Sequence, residues 1–362
     1  MRSRRIGMTI SRRSILYLAF LLIASLVLFR WRTTLRNLIS RPEAEGRLQS
    51  KFSNPFVDGN KALVSLVHGD NVDLMVREAI AMIGGLEKMG VKDKTVLVKP
   101  NVVSGDPSPA TTNPEVVRAI VRLLKEAGAK KIYVGDMSAL LTLPTKKNME
   151  KTGILKAAEE AGAEALFLED HGWVKVDLPQ GRYIREAYVS EWIYKVDRIV
   201  NLPVIKTHRN ASYTITLKNF IGATHGRQRP YLIDPTHWEE IVTEFNLAYQ
   251  PHLNLVDGTK VMVSGGPWSG EEERAGLILA SGDRIAADII GLSLIKHYGK
   301  WKDVTGKGVW DQRQIKRAVE LGLGVKDSSS ILLKTNSLEA PDADFTRLIS
   351  AIQKHALDSS PF

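Results

Sequence analysis

The sequence predicts an α/β fold: a doubly wound, mostly parallel sheet with helices on both faces, preceded by one N-terminal transmembrane or signal-anchor helix. Three observations carry this. Short apolar runs alternate with amphipathic stretches from Lys61 onward, the pattern of repeated strand–helix–strand units. Helix start and stop residues stand between the runs, as where Asn113-Pro114-Glu115 opens a helix that Gly128 ends. An uncharged run, Ile15 to Phe29, lies between Arg12-Arg13 and Arg30-Trp31-Arg32.

Residues 1–36 hold eight arginines and no acid. The rest of the chain therefore carries only +2, the whole-chain +10 less those eight charges. The basic excess belongs to targeting, which excludes nucleic acid as a partner. Fifteen helical residues rise about 22 Å, against a hydrocarbon core of about 30 Å. Tyr17, Trp31 and snorkelling arginines are placed to cover the difference. The arginine distribution puts the N-terminus inside and the body on the extracytoplasmic side, periplasmic or cell-surface. Ser11-Arg-Arg-Ser-Ile-Leu16 is similar to a twin-arginine export signal; a basic segment with two adjacent arginines is the plainer reading. Residues 1–32 are thus a leader or anchor, 33–60 a polar tether, 61–299 the α/β domain and 300–362 a C-terminal extension packing on it.

Within the body, Ala62–Val67 reads as a strand and Asn71–Met89 as an amphipathic helix. Thr95–Val98 and Lys131–Val134 are strands flanking the helix opened at Asn113. A helix near Asn148–Ala161 leads to the strand Ala165–Leu168. The run Arg198–Ile205 is a buried strand. A helix near Thr236–Ala248, strands Leu253–Val256 and Leu277–Leu279, and a buried helix Ile285–His297 follow. Ile331–Leu333 and Asp344–His355 supply a last strand and helix. There is no cysteine among 362 residues, which rules out disulfides, thiolate zinc and any iron–sulfur cluster held by this chain.

Open α/β sheets place ligands at the carboxyl ends of their strands, and polar groups gather there. After the first run beyond Thr95 come Lys99 and Asn101, then a loop containing Thr111 that ends at a helix N-terminus. Such an end suits an anion, although Asn113 also serves as a plain cap. Asp136 ends the next strand, placed for a ribose hydroxyl, a metal or an ordinary turn. Beyond Ile205 stand Lys206, His208, Lys218 and Asn219, followed by His225, Asp234 and His237, which are candidates for a divalent metal or for shared proton transfer. Asp257-Gly258 follows the strand at Leu253. Lys206, Lys218 and His208 are the expected catalytic set. Lys99, Asn101, Thr111, Asp136, Asn219 and Asp257 are expected to hold a cofactor.

Leu97-Val-Lys-Pro-Asn101, Thr111-Thr-Asn-Pro-Glu-Val-Val-Arg118, Val134-Gly-Asp136, Leu202-Pro-Val-Ile-Lys-Thr-His208, Leu217-Lys-Asn-Phe-Ile-Gly222, Val256-Asp-Gly258, Gly266-Pro267 and Asp283-Arg-Ile-Ala-Ala-Asp288 follow one another along the chain. From about residue 61 to 298 this series resembles the domain of unknown function 362 family. Members of that family often carry a twin-arginine leader or a ferredoxin-type module; this chain has a leader-like start and lacks the cysteines for the second. Val263 stands where an acidic residue often precedes the Gly-Pro pair. More faintly, His208 and Lys218 are similar in order and spacing to the N-terminal domain of the nickel-dependent lactate racemase group. There a lysine tethers a pyridinium-derived nickel cofactor, and His237 would parallel a further metal-binding histidine. Ser212–Thr216 replaces that group's Gly-rich turn.

Three functions are compatible with these residues. The first is an enzyme acting on a small anionic substrate with a metal or organic cofactor in a Lys/His crevice. The second is a non-catalytic binding or redox-partner protein using the same crevice. The third is a structural envelope protein. Fold alone does not choose among them.

Overall fold

A computed structural model describes residues 20, 23–25, 31–48, 53–340 and 343–357. Its centre is a sheet that is 12-stranded among the described residues. Eight strands form the main path: β1 (Lys61–His68), β2 (Thr95–Pro100), β3 (Lys131–Asp136), β4 (Glu164–Phe167), β5 (Arg198–Leu202), β6 (Leu253–Gly265), β7 (Leu277–Ser281) and β8 (Ile331–Ser337). Their spatial order is β8-β1-β7-β6-β5-β2-β3-β4.

Side chains alternate across each strand, so every strand feeds two cores. One face packs Val96 and Val98 of β2, Ile132 and Val134 of β3, and Val200 and Leu202 of β5 under the helices Val72–Met82, Pro114–Glu126 and Ile154–Ala161. On the other face Leu66, Val256 and Leu279 meet the buried helix Arg284–Tyr298. Leu97, Tyr133 and Ile199 lie under the residues around Trp173, Phe220 and Phe245. Helices thus cover both faces of the sheet.

The expectation of a mostly parallel sheet is corrected to a mixed one. Strand β7 runs antiparallel to both β1 and β6, and Gly270–Glu273 folds back antiparallel on β6. A parallel return needs a crossover, usually helical. The stretch from β6 to β7 contains no helix, so the chain returns as a hairpin. The transmembrane helix is also withdrawn from the fold: among the described residues no helix is long and apolar enough to cross a membrane. Most of the run Ile15–Phe29 lies outside the described residues.

Local chemistry sets the element ends. Asn71 Oδ1 accepts from the amide of Leu74 at 3.1 Å and starts the first helix. Gly84 and Gly85, both at positive φ, stop it before Met89, because glycine enters that region without a Cβ penalty. Gly153 at φ 81° divides the expected helix of 148–161 into Thr145–Thr152 and Ile154–Ala161. Asp283 caps Arg284–Tyr298 by accepting from Ala286 N at 2.8 Å.

Part of the segment expected as a tether, 33–60, is structured against the body. Residues 31–39 are helical, and Thr34 Oγ1 donates to the carbonyl of Leu140 at 2.8 Å. Ala44–Gly46 adds a parallel strand to Trp173–Asp177, itself paired antiparallel with Glu186–Ser190. Glu45 faces solvent while the strand's backbone completes a sheet edge, so composition alone reads as a linker.

Candidate functional site

The carboxyl ends of β2, β3 and β5 surround a cavity of about 380 Å³. Asn101 enters it from the end of β2, Asp136 from the end of β3, and His208 from the strand Val204–His208 that follows β5. Pro203 has no N–H to continue a ladder. After it the chain leaves β2 but stays beside β6, pairing with it in parallel across a bulge between Val204 and Lys206. A tight turn at Arg209–Ala211 leads to Ser212–Thr214, antiparallel to Val204–His208. The short helix Thr216–Asn219 then brings Lys218 back to the cavity beside His208.

That helix is held at its start by Asp288 from the buried helix. Asp288 Oδ1 accepts from the amide of Thr216 at 2.7 Å and from its hydroxyl at 2.6 Å. Burial raises the Asp288 carboxyl to about 7, against those hydrogen bonds. Asp288 therefore positions Lys218 from outside the cavity.

Lys218 makes no hydrogen bond or ion pair among the described residues. Burial first, then the charges of Arg229 and Lys99, brings its ammonium down to about 7. Its neighbour His208 accepts from the amide of Asn210 at Nδ1, 3.1 Å. A nitrogen that accepts carries no proton, so neutral His208 bears its proton on Nε2. Burial, Lys218 and Lys206 hold the imidazole well below its ordinary value.

Lys206 is buried one layer beneath. Its Nζ donates to Asn101 Oδ1 at 2.9 Å, to the carbonyl of Ala110 at 2.5 Å and to the carbonyl of Pro267 at 3.1 Å. All three protons of an ammonium are thereby committed. Asn101 extends this into a row of amides. Asn101 Nδ2 donates to Asn219 Oδ1 at 3.1 Å, Asn219 Nδ2 to Asn201 Oδ1 at 2.8 Å, and Asn201 Nδ2 to Asn254 Oδ1 at 3.0 Å. Asn254 Nδ2 ends the row on the carbonyl of Ser281 at 3.3 Å.

Lys99 is also buried, with Nζ 2.7 Å from Asp136 Oδ1. Asp136 Oδ2 accepts from the amide of Val102 at 2.7 Å. Arg229, buried on the cavity wall, donates to the carbonyl of Ile221 and, at 3.3 Å, to that of Ser138. Its Nε has no partner among the described residues. Around the cavity, then, Lys99, Lys206, Lys218 and Arg229 stand against the single paired carboxylate of Asp136.

The other expected site residues lie elsewhere. Thr111 Oγ1 donates to the carbonyl of Asp106 at 2.8 Å, bracing its loop. Asp257 accepts from the amide of Asn113 at 2.7 Å and from Thr259 Oγ1 at 2.6 Å, and so fixes the start of the helix Pro114–Glu126. His225 bonds Ser40 Oγ through Nε2 at 2.8 Å and accepts from Arg227 N at Nδ1. Burial, with Arg227 and Arg229, lowers it to about 4. His237 pairs with Asp234 at 2.7 Å and stacks on Tyr183. Hydrogen bonds from Thr236 and His237 lower Asp234. The metal set expected from His225, His237 and Asp234 is therefore not assembled. Among the described residues no group of three or more His, Cys, Asp or Glu is placed to hold a metal ion.

The sequence reading missed Arg229 and the apolar wall of Leu141, Tyr231, Trp238 and Trp268. Arg229 sits in Arg227-Gln-Arg-Pro230, a basic loop with no motif. The signal that was present is Pro230, which opens a helical turn and so turns Arg229 inward.

Three known proteins are similar to parts of this chain. The thylakoid-associated protein sll1697 of Synechocystis sp. is 26% identical over 228 residues, covering 59% of this chain and 67% of that protein. The lactate racemase apoprotein from Thermoanaerobacterium thermosaccharolyticum superposes with a TM-score of 0.41 at 11% identity, over 69% of this chain and 60% of that one. A Thermotoga maritima protein solved by structural genomics gives a TM-score of 0.37 at 14% identity, over 59% and 56%. The chain thus spans less than two thirds of the length of either solved structure. The family model described as a domain of unknown function, DUF362, matches residues 96–293, more than half of the chain and every strand end that shapes the cavity, and the protein belongs to that family.

Proposed function

We propose that the cavity binds a small organic anion and that Lys218 and His208 move a proton on it. The observation that carries this reading is Lys218: an ammonium with no partner, brought to about 7 inside a pocket where cations outnumber carboxylates. A half-buried charge without a counter-ion is poorly compensated, and an anionic ligand supplies the missing charge. A group that titrates near neutrality is suited to give and take protons at working pH. Lys218 holds the anion as an ammonium; the fraction that loses its proton near neutrality takes one from the carbon next to the acid group, the C–H electron pair passing to that group, and, charged again, returns it. His208, neutral with its proton on Nε2, serves as a hydrogen-bond donor to charge developing on the ligand. Arg229 contributes field rather than a clamp, since its Nη groups are spent on backbone carbonyls.

Of the residues expected for a divalent metal, His237 and Asp234 are spent on each other and His225 on Ser40, so no step is assigned to a metal. An organic cofactor fits the cavity only as an anion beside Lys218.

The test uses the purified chain, thermal shift against small carboxylates and phosphates, and deuterium exchange at carbons next to the acid group by NMR. The expected result is stabilisation by anions that Lys218→Met abolishes, with exchange in the wild type alone. An anion response that survives Lys218→Met overturns the site. Binding without exchange at any carbon removes the catalytic half and leaves a binding protein.

A further inference from the structure

We propose that the ligand is an amphiphilic anion: an acidic head group joined to a compact apolar ring or branched group. This rests on the anion reading above and goes beyond it to the substrate class.

Three large apolar side chains that line this one cavity are unusually exposed: Leu141 at 63%, Trp268 at 42% and Tyr231 at 41%. They come from three separate parts of the chain, the loops after β3 and β6 and the short helix Pro230–Ile233. Single exposed apolar residues are ordinary, but several converging on one cavity mark a ligand groove. Trp238 connects them to the interior: its ring lies 5.4 Å from that of Tyr231 and 5.9 Å from that of His208. The cavity is therefore graded, from unpaired cation beside His208, through Trp238, to an apolar mouth.

A bare small anion would satisfy Lys218 and leave this mouth in water. A ligand with a ring or branched group covers Leu141, Tyr231 and Trp268 as well. Aromatic surfaces meet such groups with both area and edge-to-face contacts. The volume of about 380 Å³ is near the lower end of small-molecule pockets, which favours one compact group over a long acyl chain.

The experiment compares paired ligands by calorimetry on the full chain: acetate with phenylacetate, and inorganic phosphate with phenyl phosphate. The carboxylate and phosphate arms report which head group is preferred. In the wild type the aryl member of the preferred pair binds roughly ten- to a hundredfold tighter, as burial of one ring would give. Trp268→Ala and Leu141→Ser, both at exposed positions, shrink that ratio toward one while the simple anion keeps its affinity. Lys218→Met weakens both members. Equal affinities within each pair in the wild type, or an aryl preference unchanged in both mouth variants, would overturn the amphiphile and leave the anion site standing. If no anion of either pair binds, the anion reading itself falls, and this inference with it.

Discussion

The ammonium of Lys99 lies 2.7 Å from the carboxylate of Asp136, with both side chains almost fully shielded from water. Gly222 packs over the pair so closely that an added Cβ would sit 1.8 Å from Asp136 Oδ1 and 2.8 Å from Lys99 Nζ. Gly222→Ala is expected to lower stability by about 1–3 kcal/mol through overpacking. Asp136→Asn should cost more, about 3–5 kcal/mol, because it strands a buried cation. The double change Lys99→Met, Asp136→Leu should cost less than Asp136→Asn alone. Denaturant midpoints decide, and an unaltered midpoint for Gly222→Ala would contradict the packing.

Ligand affinity should depend on pH through Lys218. The anion binds the ammonium form, so affinity is full below about 7 and falls about tenfold per pH unit above it. Lys218→Arg keeps its charge and should flatten the profile. The folding linkage has the opposite sign. The unfolded lysine holds its proton up to 10.5 whereas the folded one releases it near 7, so stability rises with pH between those values. Lys218→Met should remove that rise; equilibrium unfolding at several pH values measures it.

Lys206 and Lys218 should separate cleanly in mutagenesis. Lys206→Met leaves the oxygens of Asn101, Ala110 and Pro267 without their donor, a loss of at least about 3 kcal/mol at about 1–3 kcal/mol per buried group. Lys218→Met removes a poorly compensated charge that folding drives from 10.5 to about 7, so it should leave stability at neutral pH unchanged or higher while abolishing anion binding. Similar destabilisation by the two variants would merge their roles.

Glu244 joins three parts of the molecule. Its Oε1 accepts from Arg317 Nη2 at 2.6 Å and from Arg182 N at 2.8 Å, and its Oε2 accepts from Tyr183 N and Ile184 N at 3.0 Å each. Glu244→Ala is expected to cost about 3–5 kcal/mol and to expose the segment around 180–184 to proteases. Urea denaturation and limited proteolysis report the two effects separately.

Where burial follows local pattern, the fold was legible. Ala62–Val67, Thr95–Val98, Lys131–Val134 and Leu253–Val256 all lie within strands of the sheet, and Asn113 and Pro114 start a helix as their chemistry requires. Strand direction was not legible, since the antiparallel course of β7 depends on what joins it to β6. In the site, His208 and Lys218 are ten residues apart and meet only because a turn and a short helix fold back. His225, Asp234 and His237 looked like one cluster in sequence, but once the chain is folded Asp234 and His237 bond each other while His225 bonds Ser40. Arg229 and the apolar mouth come from separate loops, and loop convergence leaves no periodic trace.

The row of side-chain amides from Lys206 to Ser281 has only one permissible sense. An ammonium can only give a proton and a backbone carbonyl can only take one, so the terminal groups dictate which way Asn101, Asn219, Asn201 and Asn254 must each be turned. Reversing any single amide would set oxygen against oxygen on one side and NH₂ against NH₂ on the other. The four therefore behave as one polarised wire strung through the sheet from its rim to β7, and disturbance at either terminus is felt along its whole length.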